Sequence, residues 1–299
     1  MSEGNELIAD GVRAERAGAL DRALHAYQTA VTMAGDADTR ADALTHEADV
    51  YRTRCEWDQA IAAAHEAQAL ARAANLPSRL TEALVAEANI LMARGMFDEA
   101  ARKFDWIASH TTDPRVRGIA LQNLGSIHAQ SGQPRAAARA FRESLGNFHK
   151  AGYTRGEVMA LNNLGRLAID TGDYEDARQL LERALPLARD IDEAEAAAMA
   201  SLNLGWVLCH DGKLDRAQDL AMAALGYFAG CENRYREIEC LRLIGEINDR
   251  CEDSQNAARC FELAIALAEQ IGSEPERRIS EDRLMALRGR QSSVRPQQT

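Results

Sequence analysis

The chain is 299 residues long and 46% hydrophobic but only 5% aromatic, with six prolines and a formal net charge of −11. This balance favours closely packed helices over a β-rich fold, and its acidity works against nucleic-acid and anionic-membrane partners, which need a basic footprint. The polar, acidic start from Met1 to Glu6 does not read as a signal peptide, and no run of about 18 apolar residues is present to span a bilayer.

In chain order, seven segments repeat one register. Each has a small residue on its first expected helix, at Gly11, Ala48, Ala88, Gly125, Gly165, Gly205 and Gly245. Seven positions later comes a loop residue: Gly18, Cys55, Gly95, Gly132, Gly172, Gly212 and Glu252. Five further on stands an alanine: Ala23, Ala60, Ala100, Ala137, Ala177, Ala217 and Ala257. All three series step by 37, 40, 37, 40, 40 and 40 residues. The small residue lets two helices approach, the loop glycine ends the first helix with φ > 0, and the alanine packs the second helix onto the first. A residue two after the loop (Leu20, Trp57, Phe97, Pro134, Tyr174, Leu214) opens the second helix, and Gly35, Gly152, Gly230 and Gly272 are expected to end units. One hairpin cannot bury its apolar face alone, so the copies must stack. The array is expected over 1–272, followed by a polar-faced capping helix over 273–289 and a disordered tail over 290–299.

The motifs Leu161-Asn162-Asn163-Leu164-Gly165 followed by Thr171-Gly172-Asp173-Tyr174-Glu175-Asp176-Ala177, and Leu202-Asn203-Leu204-Gly205 followed by Gly212 and Ala217, resemble tetratricopeptide repeats. The resemblance is to the forty-residue form of kinesin light chains, spindle-orientation adaptors and many bacterial regulators, and it covers nearly the whole chain. It implies an all-α, right-handed superhelical solenoid of about seven hairpins plus a capping helix. It also implies that the first helix of each hairpin faces an inner groove. The arginine- and alanine-rich composition, with only Lys103, Lys150 and Lys213 as lysines, suggests a GC-rich bacterial genome.

The chemistry expected of an enzyme is missing from the sequence. There is no phosphate-cradling glycine loop, no HExxH, no Gly-x-Ser-x-Gly turn, and the seven histidines are scattered. No catalytic residue, metal or cofactor is assigned. The cysteines at 55, 209, 231, 240, 251 and 260 form no CxxC pair. They read as small apolar helix residues in a reducing cytoplasm, with disulfides an unsupported alternative.

Asparagines recur two residues before the small residue, at Asn123, Asn163 and Asn203. In the families named, amides there form a ladder on the backbone of an extended peptide, a role suited to a side chain offering both donor and acceptor. The alternative is that they bridge neighbouring helices. Arg166, Trp206, Asp170, His210 and Gln130 are expected beside the ladder, with Trp206 either a groove anchor or packed between hairpins. Asp10, Glu47 and Glu87 replace the apolar residue just before the small one in the first three copies. With Asp49, they form a candidate acidic patch for a Lys/Arg-bearing partner, or else a paired and solvated surface. Residues 1–110 carry 18 acids and 11 bases. The function expected is a cytoplasmic adaptor holding a peptide or helical segment of a partner protein. The alternatives are a regulator switched by a small peptide or ligand, and a structural homo-oligomer.

Overall fold

The computed structural model describes residues 3–294, except for the side chains of Arg16 and of 291–294. Among the described residues it contains fifteen α-helices and no strand, in two compact units, Met1–Gly152 and Tyr153–Thr299. The first unit holds α1 (Glu3–Arg16), α2 (Leu20–Met33), α3 (Ala37–Thr53), α4 (Trp57–Ala73), α5 (Pro77–Ala93), α6 (Phe97–His110), α7 (Pro114–Gln130) and α8 (Pro134–Lys150). The second holds α9 (Thr154–Asp170), α10 (Tyr174–Asp190), α11 (Ala194–His210), α12 (Leu214–Gly230), α13 (Arg234–Arg250), α14 (Ser254–Gln270) and α15 (Glu274–Val294). The all-α hairpin-repeat class expected from the register is the observed one. The closing helix runs to Val294 rather than stopping at 289, with Arg288 bonded to Glu262 and Arg290 to Asp249; residues 295–299 of the expected tail lie outside the described residues.

All seven loop residues take positive φ, including two that are not glycine, Cys55 at 59° and Glu252 at 62°. The position therefore imposes the left-handed conformation even where a Cβ makes it unfavourable. Between hairpins the left-handed residue is Asn75, Gly152, Asp192, Glu232 or Gly272; Gly230 stays helical as the last residue of α12. The two 37-residue steps have a specific cause. α2 and α6 have 14 residues against 17 in every other second helix, and they end in extended caps at Ala34 and Thr111 instead of a left-handed turn. Arg117 closes the early end of α6, donating to the Ala108 carbonyl at 2.9 Å and the Thr111 carbonyl at 2.6 Å.

In five of the seven hairpins a bulky residue sixteen positions after the small one (Tyr27, Phe104, Phe141, Leu181 or Phe261) lies across it, whereas the second hairpin has Ala64 there, against Ala48. A Cβ added to Gly125 would stand 2.7 Å from the Phe141 ring, and one on Gly165 would stand 2.6 Å from Leu181. In the sixth hairpin that bulky position is Ala221, and Leu243 of the next hairpin fills the gap, 2.8 Å from where a Gly205 Cβ would be. Tyr27, Phe104, Phe148, Phe228 and Phe261 are among the largest fully buried side chains, and each contributes about 1.5–3 kcal/mol by leaving water.

Within each unit the stacking is lopsided. First helices pack directly on one another (α1 on α3, α3 on α5, α5 on α7; α9 on α11, α11 on α13, α13 on α15), whereas among the described residues the backbones of successive second helices within a unit come no closer than 8 Å at their Cα atoms. The first-helix side is therefore the closed one, and space opens between second helices.

Candidate functional site

On the first-helix face of the second unit, α9, α11 and α13 enclose a pocket of about 290 Å³. Asn163 and Asn162 enter it from α9, Met159 lies one turn ahead on the same helix, and Met199 comes from the equivalent place on α11. Asn233 and Arg236 line the side formed by the start of α13, where the Asn233 side chain caps the helix by accepting from the Arg236 N–H at 3.3 Å. Arg155 and Glu193, 3.3 Å apart, close another side.

The two asparagines differ in what they have left to offer. Asn162 is 5% exposed and donates its Nδ2 to the Ala196 carbonyl at 3.2 Å, tying α9 to α11, while its Oδ1 is buried with no partner. Asn163 is half-buried, and no hydrogen bond holds its amide among the described residues. Buried polar atoms are normally satisfied, so an idle acceptor beside an uncommitted amide is a place where a ligand's N–H and C=O groups can be met. The two methionines add apolar walls that adapt to different side chains.

A chain of charges crosses the same face. Asp170 accepts from Arg166 Nε at 3.0 Å, Arg166 Nη1 reaches Glu239 Oε1 at 3.2 Å, and Glu239 also binds Arg236. Burial pushes the Glu239 carboxyl up, but Arg236, Arg166 and Arg242 outweigh it and hold the group below its ordinary range. Burial likewise opposes the Arg166 charge, yet Glu239 and Asp170 hold its pKa above the ordinary value. Arg166 and Asp170 are thus engaged internally, bridging α9 to α13.

The remaining residues singled out by the sequence fall in different settings. Asn203 is 2% exposed with Nδ2 buried and unpartnered, and Leu243, which replaces it in the next hairpin, packs against Gly205 of the preceding first helix. In the first unit, Asn123 donates to Asn89 Oδ1 at 3.0 Å, again bridging two first helices. This register position points between first helices, so of the three asparagines Asn163 alone lines the pocket. Trp206 is half-buried on α11 and does not line it; His210 stacks on Tyr174 with ring centroids 3.6 Å apart; Gln130 is exposed at the end of α7. Met159, Asn162, Met199, Arg236 and Glu239 were missed. Met159, Met199 and Glu239 do recur at 40-residue steps six positions before the small residue, a signal legible in the sequence.

In the first unit Asp10 pairs with Arg13, Asp49 with Arg52 at 3.1 Å, and Glu47 accepts from Gln28 at 3.2 Å. Glu87 is 8% exposed and sits among His65 at 3.1 Å, Gln68 at 2.9 Å and Lys103 at 2.9 Å. Burial raises its carboxyl pKa, but those three hydrogen bonds outweigh it and keep it below the ordinary value. Glu87 therefore joins α4, α5 and α6 from within and presents no open charge to a partner.

All six cysteines are free thiols. Burial pushes Cys209 up to about 11 and Cys240 up to about 12, so both stay protonated and inert at neutral pH. Among the described residues no cluster of three or more His, Cys, Asp or Glu is arranged to hold a metal ion, and no helix is long and apolar enough to cross a membrane.

Comparison with known proteins agrees with the helical-hairpin fold. Residues 156–229, within α9–α12, match the family model described as tetratricopeptide repeat. A stretch of 149 residues, 50% of the chain, is 28% identical to the human protein O-mannosyl-transferase TMTC1, of whose length it spans 15%. Among solved structures, the apo form of RapI superposes with a TM-score of 0.66 at 15% identity, covering 91% of this chain and 99% of that one. A Rap protein complexed with competence and sporulation factor gives 0.62 at 15% identity, covering 95% and 74%.

Proposed function

We propose that this chain, whose residues 156–229 match the tetratricopeptide repeat family model and whose fold is that of such repeats, is a cytoplasmic binding protein holding a segment of a partner protein on the first-helix face of residues 153–294. The observation that carries this reading is the pocket at Asn163. There an amide with no internal partner lies beside the idle Oδ1 of Asn162, between Met159 and Met199. Such a site meets a peptide's backbone with the amides and its side chains with the thioethers. The net charge of −11 supports a protein rather than a nucleic acid as the ligand, and six free thiols suit a reducing compartment. The transferase activity in the human relative's name is not carried over, since the match spans 15% of that protein.

The test is a photo-crosslinking amino acid placed at Met159, with the exposed Met222 on α12 as control. The expected result is a single dominant adduct from position 159, weakened by Asn163→Ala and absent from position 222. Equal labelling from both positions would overturn the proposal.

A second reading, a regulator switched by a small ligand, is favoured by the likeness to a Rap protein complexed with competence and sporulation factor. Small-angle scattering would show compaction on ligand addition if it holds. The exposed Ile279 and Met285 on α15 favour the third, homo-oligomeric reading, for which sedimentation at rising concentration is the check.

A further inference from the structure

A second cleft lies on the opposite side of a hairpin layer, in the first unit. It occupies about 540 Å³ between the second helices α4 and α6, over the first half of α5. Its existence follows from the packing: among the described residues the backbones of α4 and α6 stay more than 8 Å apart at their Cα atoms, and the first helix α5 lies at the floor of the gap between them. Leu80 and Leu84 of α5 and Ile107 of α6 make that floor apolar. Trp106 stands at its edge, 49% exposed, its ring held by stacking on His110 with centroids 4.4 Å apart. Elsewhere in this unit the second-helix cleft is furnished differently. In the one between α6 and α8, the position equivalent to Trp106 is Glu143 and the floor residue equivalent to Leu80 is Arg117, which is occupied in capping α6.

The rim is basic in an otherwise acidic region. Residues 1–110 carry 18 acids and 11 bases, yet Arg72, Arg102 and Lys103 border the cleft against one carboxylate, Glu99. Lys103 is committed to Glu87 at 2.9 Å, and among the described residues Arg72 bonds only the neutral Gln68, at 3.2 Å. No carboxylate is bonded to Arg102 among the described residues.

We infer that the α4–α6 cleft is a docking site for an acidic segment of a partner protein, which inserts one large apolar side chain against Trp106 and sets its carboxylates on Arg72 and Arg102. The volume suits one bulky side chain with its flanking backbone. A tryptophan beside unpaired arginines over an apolar floor is the composition of an interface hot spot. The opposite charge on the partner speeds encounter and fixes its orientation.

The probe is a displayed library of random twelve-residue peptides selected on the full chain, with recovered peptides titrated onto the wild type, Trp106→Ala, Arg102→Glu and Asn163→Ala. The expected outcome is a consensus of Leu, Phe or Trp flanked by Asp or Glu, its affinity falling about thirty-fold in Trp106→Ala, as at an interface hot spot. Arg102→Glu should also weaken binding, while Asn163→Ala leaves it unchanged. Binding to this cleft should shift the Trp106 indole N–H resonance. Trp106 and Arg102 are exposed and Asn163 is half-buried, and a matching thermal melt confirms that each of the three variants folds. Recovery of no peptide, of peptides lacking acidic enrichment, or of peptides insensitive to Trp106→Ala and Arg102→Glu would overturn the inference. Peptides dependent on Asn163 instead would also overturn it while supporting the pocket of the second unit.

Discussion

The two units are built from the same hairpin and differ in regularity. Residues 153–294 keep a constant 40-residue step, and their helices before the closing one are all of 17 residues. Residues 3–152 alternate 37 and 40, because α2 and α6 each stop a turn early. Equal helices keep equivalent side chains in line, which lets Met159 and Asn163 meet Met199 and lets Arg166 reach Glu239 across α11. In the irregular unit, polar groups serve the joints instead: Arg117 caps the short α6, and Glu87 draws three donors from α4 and α6 onto α5. Both units thus use internal polar braces, and the one with the constant period also lines a pocket with an uncommitted amide, Asn163.

The largest effect expected is common to both units and tests whether the same small-against-bulky contact supports each. Phe104→Ala, which empties the space over Ala88, should cost about 3–5 kcal/mol, and Leu181→Ala over Gly165 about 2–5 kcal/mol, by loss of burial plus a residual cavity. Urea denaturation measures the loss, and hydrogen exchange should place it in the mutated hairpin and its neighbours. A loss under about 1 kcal/mol at either site would show the cores to be unlike, since buried large-to-small changes normally exceed it.

Glu87→Gln should be next, costing about 2 kcal/mol at pH 7, the range for hydrogen bonds to a charged group. The sign of its pH dependence is fixed by the lowered carboxyl pKa. The stabilisation is complete above the ordinary value of 4.5 and is lost as pH falls through the lower folded value. The wild type should therefore be the more stable of the two at neutral pH, and the difference should vanish as the pH falls through the folded Glu87 value. Divergence in acid would contradict the brace.

The three asparagines separate a structural from a presenting role. Asn123→Ala removes the bond to Asn89 and should cost about 1 kcal/mol of stability, the net worth of a neutral hydrogen bond. Asn203→Leu replaces a buried amide whose Nδ2 is unsatisfied by an apolar group of similar shape and should stabilise by about 1 kcal/mol. Asn163→Ala should leave the melt unchanged and weaken partner binding by about 0.5–1.5 kcal/mol. Equal melting shifts for all three would erase the distinction.

The smallest expected effects lie in the loops. Cys55→Gly in the first unit and Glu252→Gly in the second should each stabilise by about 0.5–1 kcal/mol, because a Cβ is unfavourable at φ near +60°. Thermal melts of the two single variants are sufficient, and a destabilisation would mean that the native side chains make contacts outweighing the backbone term.

Much of this architecture was legible in the sequence. Gly18, Gly95, Gly132, Gly172 and Gly212 marked the left-handed turns, and the register extended that geometry to Cys55 and Glu252 against their own preference. The 37-residue steps marked two units as three residues short, but that α2 and α6 are the elements shortened came from the structure. Periodic local signals of this kind record backbone geometry, which each hairpin repeats from its own residues.

The fate of equivalent side chains was not legible. Asn123, Asn163 and Asn203 occupy one register position at a constant 40-residue step, yet one is bonded, one is uncommitted and one is buried. Arg166 and Asp170 were candidates for contacting a ligand, and Glu239, 73 residues from Arg166, engages the pair. Glu87 read as surface charge until Lys103, His65 and Gln68 were seen around it. The sequence alone determines where each hairpin puts a Cα. Tertiary structure alone decides what its side chain meets, because the neighbours that bury, pair or leave it idle come from other hairpins, and spacing carries no record of their chemistry.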